Sequence, residues 1–207
     1  MRVLELGSGH GYNSCFIAKH YGVEIYAVDV CENPSDVLKV AEEKGVAEQV
    51  VPLRCDARNL PFAEGFFDAV YSLNAYFYFG TEDTYLPYLS RFLKPGALIC
   101  VTSPCFAHEP NENTPDYFKF DAPDYLEFYT MHSPAWWYKH FAKCKDIEVQ
   151  HCEEHPLGRE IWMDSMRWQL QCRPLEDIMS NLKMLLMDDE GFVTYFSLLA
   201  KKRGKEL

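Results

Sequence analysis

Several features that would place this chain in a familiar class are missing from it. No apolar run approaches the ~20 residues that a membrane-crossing helix needs. The N-terminus shows no basic-then-apolar leader and enters a strand pattern at Val3. Positive charge is scarce: 20 lysines and arginines stand against 31 aspartates and glutamates, a net charge of −11. Nucleic-acid binding leans on neutralising phosphates, so neither a nucleic acid nor a membrane is an expected partner. The one basic cluster, Lys201 to Lys205, reads as a solvated tail. Eight cysteines are present but no C-x-x-C pair, which argues against a zinc ribbon or a dithiol redox motif. Cys15, Cys31, Cys55 and Cys100 fall in or beside expected core elements, where free cysteine behaves as a small hydrophobe. Reduced thiols and a cytoplasmic location are the expectation. The phosphate-loop run G-x-x-x-x-G-K-S/T is absent as well.

What the chain does have is glycine in one informative place. Val3-Leu4-Glu5-Leu6 is a short apolar run of the kind that forms a buried parallel strand. It ends in Gly7, Gly9 and Gly11, and a helical pattern follows from Asn13 to His20. Glycines let backbone approach a ligand where a Cβ would clash. The helix N-terminus adds unpaired N–H donors. Strand, glycine turn and helix together predict a nucleotide-type site at the carboxyl end of the first strand. In the dinucleotide fingerprint G-x-G-x-x-G the third glycine would stand where Tyr12 is; here it comes one residue early.

The order of elements extends this reading. Glu24 to Asp29 is a second strand ending in an acid, where nucleotide-binding sheets accept hydrogen bonds from ribose hydroxyls. Pro34 to Lys44 reads as a helix with Gly45 just past its end. Val50 to Arg54 is a third strand followed by Asp56, and Phe67 to Ser72 a fourth followed by Asn74. Leu86 to Leu93 is helical, Lys94-Pro95-Gly96 is a stop, and Ala97 to Thr102 is a fifth strand. A sixth strand (146–150), a helical span from Arg159 to Met187 divided by Pro174, and a last strand from Phe192 to Ala200 complete the pattern.

Glu5-x-Gly7-x-Gly9-x-Gly11, then Cys55 to Phe62, Phe67-Asp68 and Leu93 to Gly96 resemble, in that order, the successive motifs of the Rossmann-like, class I S-adenosylmethionine-dependent methyltransferases. The resemblance covers residues 1 to about 103. It implies an α/β fold: one doubly wound, seven-stranded, mostly parallel sheet over residues 1–207, with an aromatic-rich insertion after strand five and a helical insertion before the last strand. It also implies S-adenosyl-L-methionine as cofactor, S-adenosylhomocysteine as product, and methyl transfer by in-line displacement. Carried onto this sequence, Gly7, Ser8, Gly9 and Gly11 would pass close to the methionine moiety and ribose, and Glu5 would stand near the cofactor's amino end. Asp29 with Val30 would take the ribose, Asp56 with Ala57 would face adenine, and Asn74 would lie where methyl donor meets acceptor. Family members usually carry helices before the first motif. This sequence begins at the strand, so such cover is expected to be lost or supplied by another subunit.

Strand four ends in Ser72-Leu-Asn-Ala, not in the Asn-Pro-Pro-Tyr of amino-methylating DNA enzymes, which with the acidic charge favours a small-molecule acceptor. Residues 104–140 hold ten of the chain's 31 aromatics, broken by prolines, and are expected to form a substrate lid. His132 and Tyr76 are the candidate bases, and Tyr78, His108 and Trp136 the candidate substrate contacts. Aromatic faces with six nearby acids, Glu109 among them, favour an amine or another electron-rich acceptor. His151-Cys-Glu-Glu-His155 fits an inverted zinc-protease pattern, but the preceding residues alternate like a strand and Pro156 follows, so no metal is expected. Trp162, Met166, Leu170, Leu175, Ile178, Leu182 and Leu185 repeat at helical spacing as a core stripe, with a homodimer face as the alternative. Two other readings compete with methyl transfer: an inactive scaffold of the same fold, and an NAD-dependent oxidoreductase.

Overall fold

A computed structural model describes residues 1–112, 114–115, 129–172 and 174–204. Five strands, β1 (Arg2–Leu6), β2 (Glu24–Asp29), β3 (Val50–Arg54), β4 (Phe67–Leu73) and β5 (Leu93–Phe106), pair in parallel. β6 (Ile147–Glu154) and β7 (Val193–Lys202) complete the sheet, with β7 antiparallel to both its neighbours. The order is β3-β2-β1-β4-β5-β7-β6, the doubly wound, mostly parallel arrangement that the sequence predicts.

The helices start and stop where the chemistry of their ends requires. The α1 helix (Tyr12–Tyr21) begins at Gly11 with no side-chain cap, which leaves its first amides open. In α2 (Pro34–Lys44) the Asn33 side chain accepts from Ser35 N–H, Pro34 sits in the first turn, and Gly45 closes the end in left-handed conformation. After α3 (Tyr85–Ser90) comes α4 (Pro134–Ala142), capped by the Ser133 hydroxyl accepting from Trp136 N–H. The span before β7 splits into α5 (Gly158–Cys172) and α6 (Met179–Met187) on either side of Pro174.

Two cores result. Val3, Ile25, Ala27, Val50 and Tyr71 pack under α1 and α2 on one face. The larger core, with Leu4, Leu6, Trp137, Phe141 and Trp162, fills the other face under α3, α4 and α5. By register, Leu98, Cys100 and Lys201 continue the first face beyond β4, and all three are exposed. Cys31 is exposed too, so neither it nor Cys100 belongs to the core as expected.

Several boundaries differ from expectation. β5 begins at Leu93, so Lys94-Pro95-Gly96 is an irregularity inside the strand: β4 steps from Phe67 to Ala69 while its partner steps from Leu93 to Leu98. β5 also runs on to Phe106, pairing with β7 through Val193. Pro104 is tolerated there because Thr102, two residues earlier, turns its backbone toward β4, whose last register pair is Leu73↔Thr102. The missing N–H of Pro104 therefore falls beyond the end of β4. Phe106 and Trp137, expected in the lid, are buried core, whereas Tyr117, Phe118, Phe120, Tyr125 and Phe128 lie outside the described residues. In the helical stripe Trp162, Met166, Ile178 and Leu185 are buried, but Leu170 and Leu175 are exposed. His151 lies on β6, a strand, and His155 follows it. Among the described residues no group of three His, Cys, Asp or Glu side chains could hold a metal ion. Among them, too, no helix is long and apolar enough to cross a membrane.

Candidate active site

The winding of the sheet reverses between β1 and β4, and ligands of open α/β sheets sit outside the strand carboxyl ends at such a point. A cavity of about 1330 Å³ occupies this edge. That exceeds the ~300–1,000 Å³ of an ordinary ligand pocket and leaves room for two molecules. It extends from the loop after β3, past β2, β1 and β4, to β5, β7 and α5.

Of the ten residues expected to meet the cofactor, eight line it: Gly7, Ser8, Gly9, Asp29, Val30, Asp56, Ala57 and Asn74. The glycines divide the work. A Cβ on Gly7 would collide with the Cβ of Ala75, so the β1 and β4 loops can touch only through glycine. Gly9 has φ +51° and nothing within 4 Å of where a Cβ would stand, so the wall is hollowed there. Gly11 does not line the cavity: a Cβ there would lie 2.5 Å from Val37 Cγ1, and the residue serves the packing of α1 on α2.

Asp29 anchors the glycine turn. One carboxylate oxygen accepts from Gly9 N–H at 2.9 Å, the other from Cys31 N–H at 2.8 Å and Glu32 N–H at 3.2 Å. Ser8 is buried and its hydroxyl has no partner. Asp56 accepts from Arg58 through the backbone N–H and the guanidinium, at 2.8 to 3.0 Å, and that pairing holds its carboxyl below the usual carboxylate range. Asn74 takes φ +59°, sparsely populated for a non-glycine, while its N–H donates to Thr102 at 2.9 Å.

Glu5 is elsewhere. Successive strand residues point to opposite faces, and Glu5 points toward α1, fully buried and hydrogen-bonded by the Ser14 hydroxyl. Burial pushes its carboxyl up to about 7, against the pull of the Ser14 and Tyr71 hydroxyls. Tyr76 also faces inward: its ring packs on Phe79, Tyr85 and Trp137 at 5.6 to 5.8 Å. Its neighbours Phe77 and Tyr78 line the cavity instead. His132, His108 and Trp136 are absent from the wall. His132 meets Glu109 Oε2 at 3.0 Å and stacks on Trp136, which stacks on His140 in turn. The His108 ring packs against Phe192.

In their place the far wall comes from α5, where Trp162, Ser165, Met166 and Gln169 share one helix face, with Met131 and Tyr195 beside them. The spacing was visible in the sequence, but a core stripe and a cavity wall have the same period. Tyr195 meets Trp162 edge to face at 5.6 Å. Burial raises its phenol far above the ordinary range, an effect that the nearby Asn74 side chain partly offsets.

Residues 4–101 match the family described as methyltransferase domain. Over this stretch the chain is similar to methyltransferase domains. The O-methyltransferase resE of Aspergillus sclerotiorum is 30% identical over 111 residues, 53% of this chain and 42% of that protein. The chain spans less than half the length of the curated relatives it matches first: 42%, 32% and 45%. Among solved structures, a putative sarcosine dimethylglycine methyltransferase from Galdieria sulphuraria superposes with TM-score 0.75 at 16% identity, over 98% of this chain and 78% of that one. A phosphoethanolamine N-methyltransferase 2 from Haemonchus contortus, in complex with S-adenosyl-L-methionine, gives 0.74 at 22%, over 99% and 49%. These likenesses show the fold. The family match ends inside β5, so the methyltransferase domain as matched covers the loops after β1 to β4 and none of the α5 wall.

Proposed function

We propose that this protein transfers a methyl group from S-adenosyl-L-methionine to a small-molecule acceptor. The carrying observation is the glycine turn: an unpartnered buried Ser8 hydroxyl beside a glycine whose Cβ position is empty, both next to a carboxylate already fixed by backbone amides. These residues fit the cofactor. Asp29 keeps lone pairs free to accept from a ribose diol. Asp56 and the Ala57 backbone would face adenine, and the uncapped amides of α1 suit the one anionic group of the methionine moiety.

When bound, the cofactor would supply a sulfonium methyl whose carbon an electron-rich atom attacks, with the thioether sulfur as leaving group. The chain's part is to hold the acceptor in line, which can supply much of the acceleration. Past β4, no histidine or carboxylate lines the cavity among the described residues, so positioning is what this wall contributes. Thermal shift and calorimetry test the reading. S-adenosylhomocysteine should bind and raise the melting temperature, and NAD should do neither; stabilisation by NAD alone would overturn it.

A further inference from the structure

The acceptor is unnamed by the fold, but charge is unevenly divided along the cavity. Among the described residues its charged lining, Asp29, Asp56 and Arg58, together with His10, sits on the loops after β1, β2 and β3. Past β4 the floor is Phe77, Met131, Trp162, Met166 and Tyr195, each at most 5% exposed, and Tyr78 and Trp168 stand at the mouth, each 54% exposed. The polar groups there are neutral: Asn74, Ser165, Gln169, Asn181 and the two tyrosine hydroxyls. Of the acids in the 104–140 segment, Glu109 accepts from Ser133 N–H and meets His132, while Asp116, Asp121, Asp124 and Glu127 lie outside the described residues. Among the described residues nothing on this wall would pair a phosphate or ammonium desolvated against it.

We infer that the acceptor is an uncharged, largely apolar molecule whose hydroxyl meets the Asn74–Tyr195 pair at the floor of the cavity. The inference rests on the methyl-transfer reading. The acceptor oxygen forms the new bond to the methyl carbon as the carbon–sulfur electron pair returns to sulfur, and the hydroxyl proton passes to water. Tyr195 stays protonated and offers a donor, while the Asn74 amide offers both a donor and an acceptor. Trp162 and Met166 supply a flat, polarizable wall for a ring.

Calorimetry with three probes tests this: 2-naphthol, phosphoethanolamine and dimethylglycine, each titrated into protein saturated with S-adenosylhomocysteine and into protein without it. 2-Naphthol should bind and the two charged probes should not. Tyr195→Phe should weaken 2-naphthol about fivefold, and Gln169→Lys, which places a charge in the wall, about tenfold. Affinity for S-adenosylhomocysteine, measured in each variant, reports that the fold and the cofactor end are intact. Failure of 2-naphthol to bind, tighter binding of either charged probe, or indifference to both substitutions would overturn the inference. Binding of 2-naphthol without any of S-adenosylhomocysteine would overturn the methyl-transfer reading instead.

Discussion

The backbone amide of Gly9 donates to the carboxylate of Asp29 at 2.9 Å. The acid at the end of β2 thus shapes the glycine turn after β1 before it touches any ligand. Two functions meet in one side chain, and the consequences of removing it should separate.

Asp29→Ala should weaken S-adenosylhomocysteine binding tenfold or more, a loss of about 1.4 kcal/mol or greater. Asp29→Asn, which keeps one oxygen for Gly9 N–H, should lose less. Calorimetry on variants of unchanged circular dichroism decides; equal affinity for all three proteins would remove Asp29 from the site.

Gly9→Ala and Gly11→Ala should fail in different ways. Both residues have positive φ, where a Cβ costs about 1 kcal/mol. At Gly9 the new methyl projects into empty cavity, so cofactor affinity should fall with modest loss of stability. At Gly11 it strikes Val37, adding an overpacking cost of about 1–3 kcal/mol. Gly11→Ala should therefore lower the denaturation midpoint, and Val37→Ala added to it should restore part of the loss. No rescue in the double variant would mean that the contact is not what α1 and α2 depend on.

Stability should depend on Glu5 through pH. Its folded pKa, about 7, lies above the unfolded value near 4.5, so folding favours the protonated form. That contribution is complete below about pH 4.5 and is lost as pH rises to about 7, by about 3 kcal/mol in all. His140, whose burial lowers its pKa, works in the opposite direction and loses stability as pH falls below its unfolded value. Both proteins keep His140, so the difference between wild type and Glu5→Gln isolates Glu5. Urea unfolding should show the variant gaining on wild type as pH rises from 4.5 to 8; parallel curves would mean that Glu5 is not buried as described.

Gly158→Ala should perturb the acceptor end alone. A Cβ there would collide with the Thr194 hydroxyl and come within 2.6 Å of the Tyr195 amide nitrogen. The start of α5 would have to lift from β7, loosening the Trp162–Tyr195 contact. Binding of S-adenosylhomocysteine should persist while turnover or 2-naphthol binding falls severalfold. Equal loss at both ends would show that the cavity behaves as one unit.

The cavity end that the sequence assigned to the cofactor was legible because its signals are local. Gly7, Gly9, Asp29 and Asp56 each stand at, or within three residues of, the end of a strand whose apolar pattern marks it, and every one of them lines the cavity. The acceptor half was not legible. Tyr76 and Tyr78 differ by two positions in a 3₁₀ turn, one buried and one at the mouth, and nothing in the local sequence distinguishes them. Trp162 and Met166 carry the period of a core helix and are buried like one, yet they also bound the cavity. Glu5 matches a motif position, but the alternation of β1 sends it to the other face of the sheet. Long-range packing decides all of these.

The place of β7 in the sheet has a consequence for how the molecule comes into being. β6 has a single sheet neighbour, and it is β7, which follows it by nearly forty residues and is itself wedged beside β5. While the chain is being synthesised, β5 keeps a naked edge and β6 has no seat until Lys202 has emerged. Unpaired edges of this kind are where nascent chains associate wrongly. Tyr195 arrives on that same strand, so the closure of the sheet and the completion of this part of the cavity wall are one event.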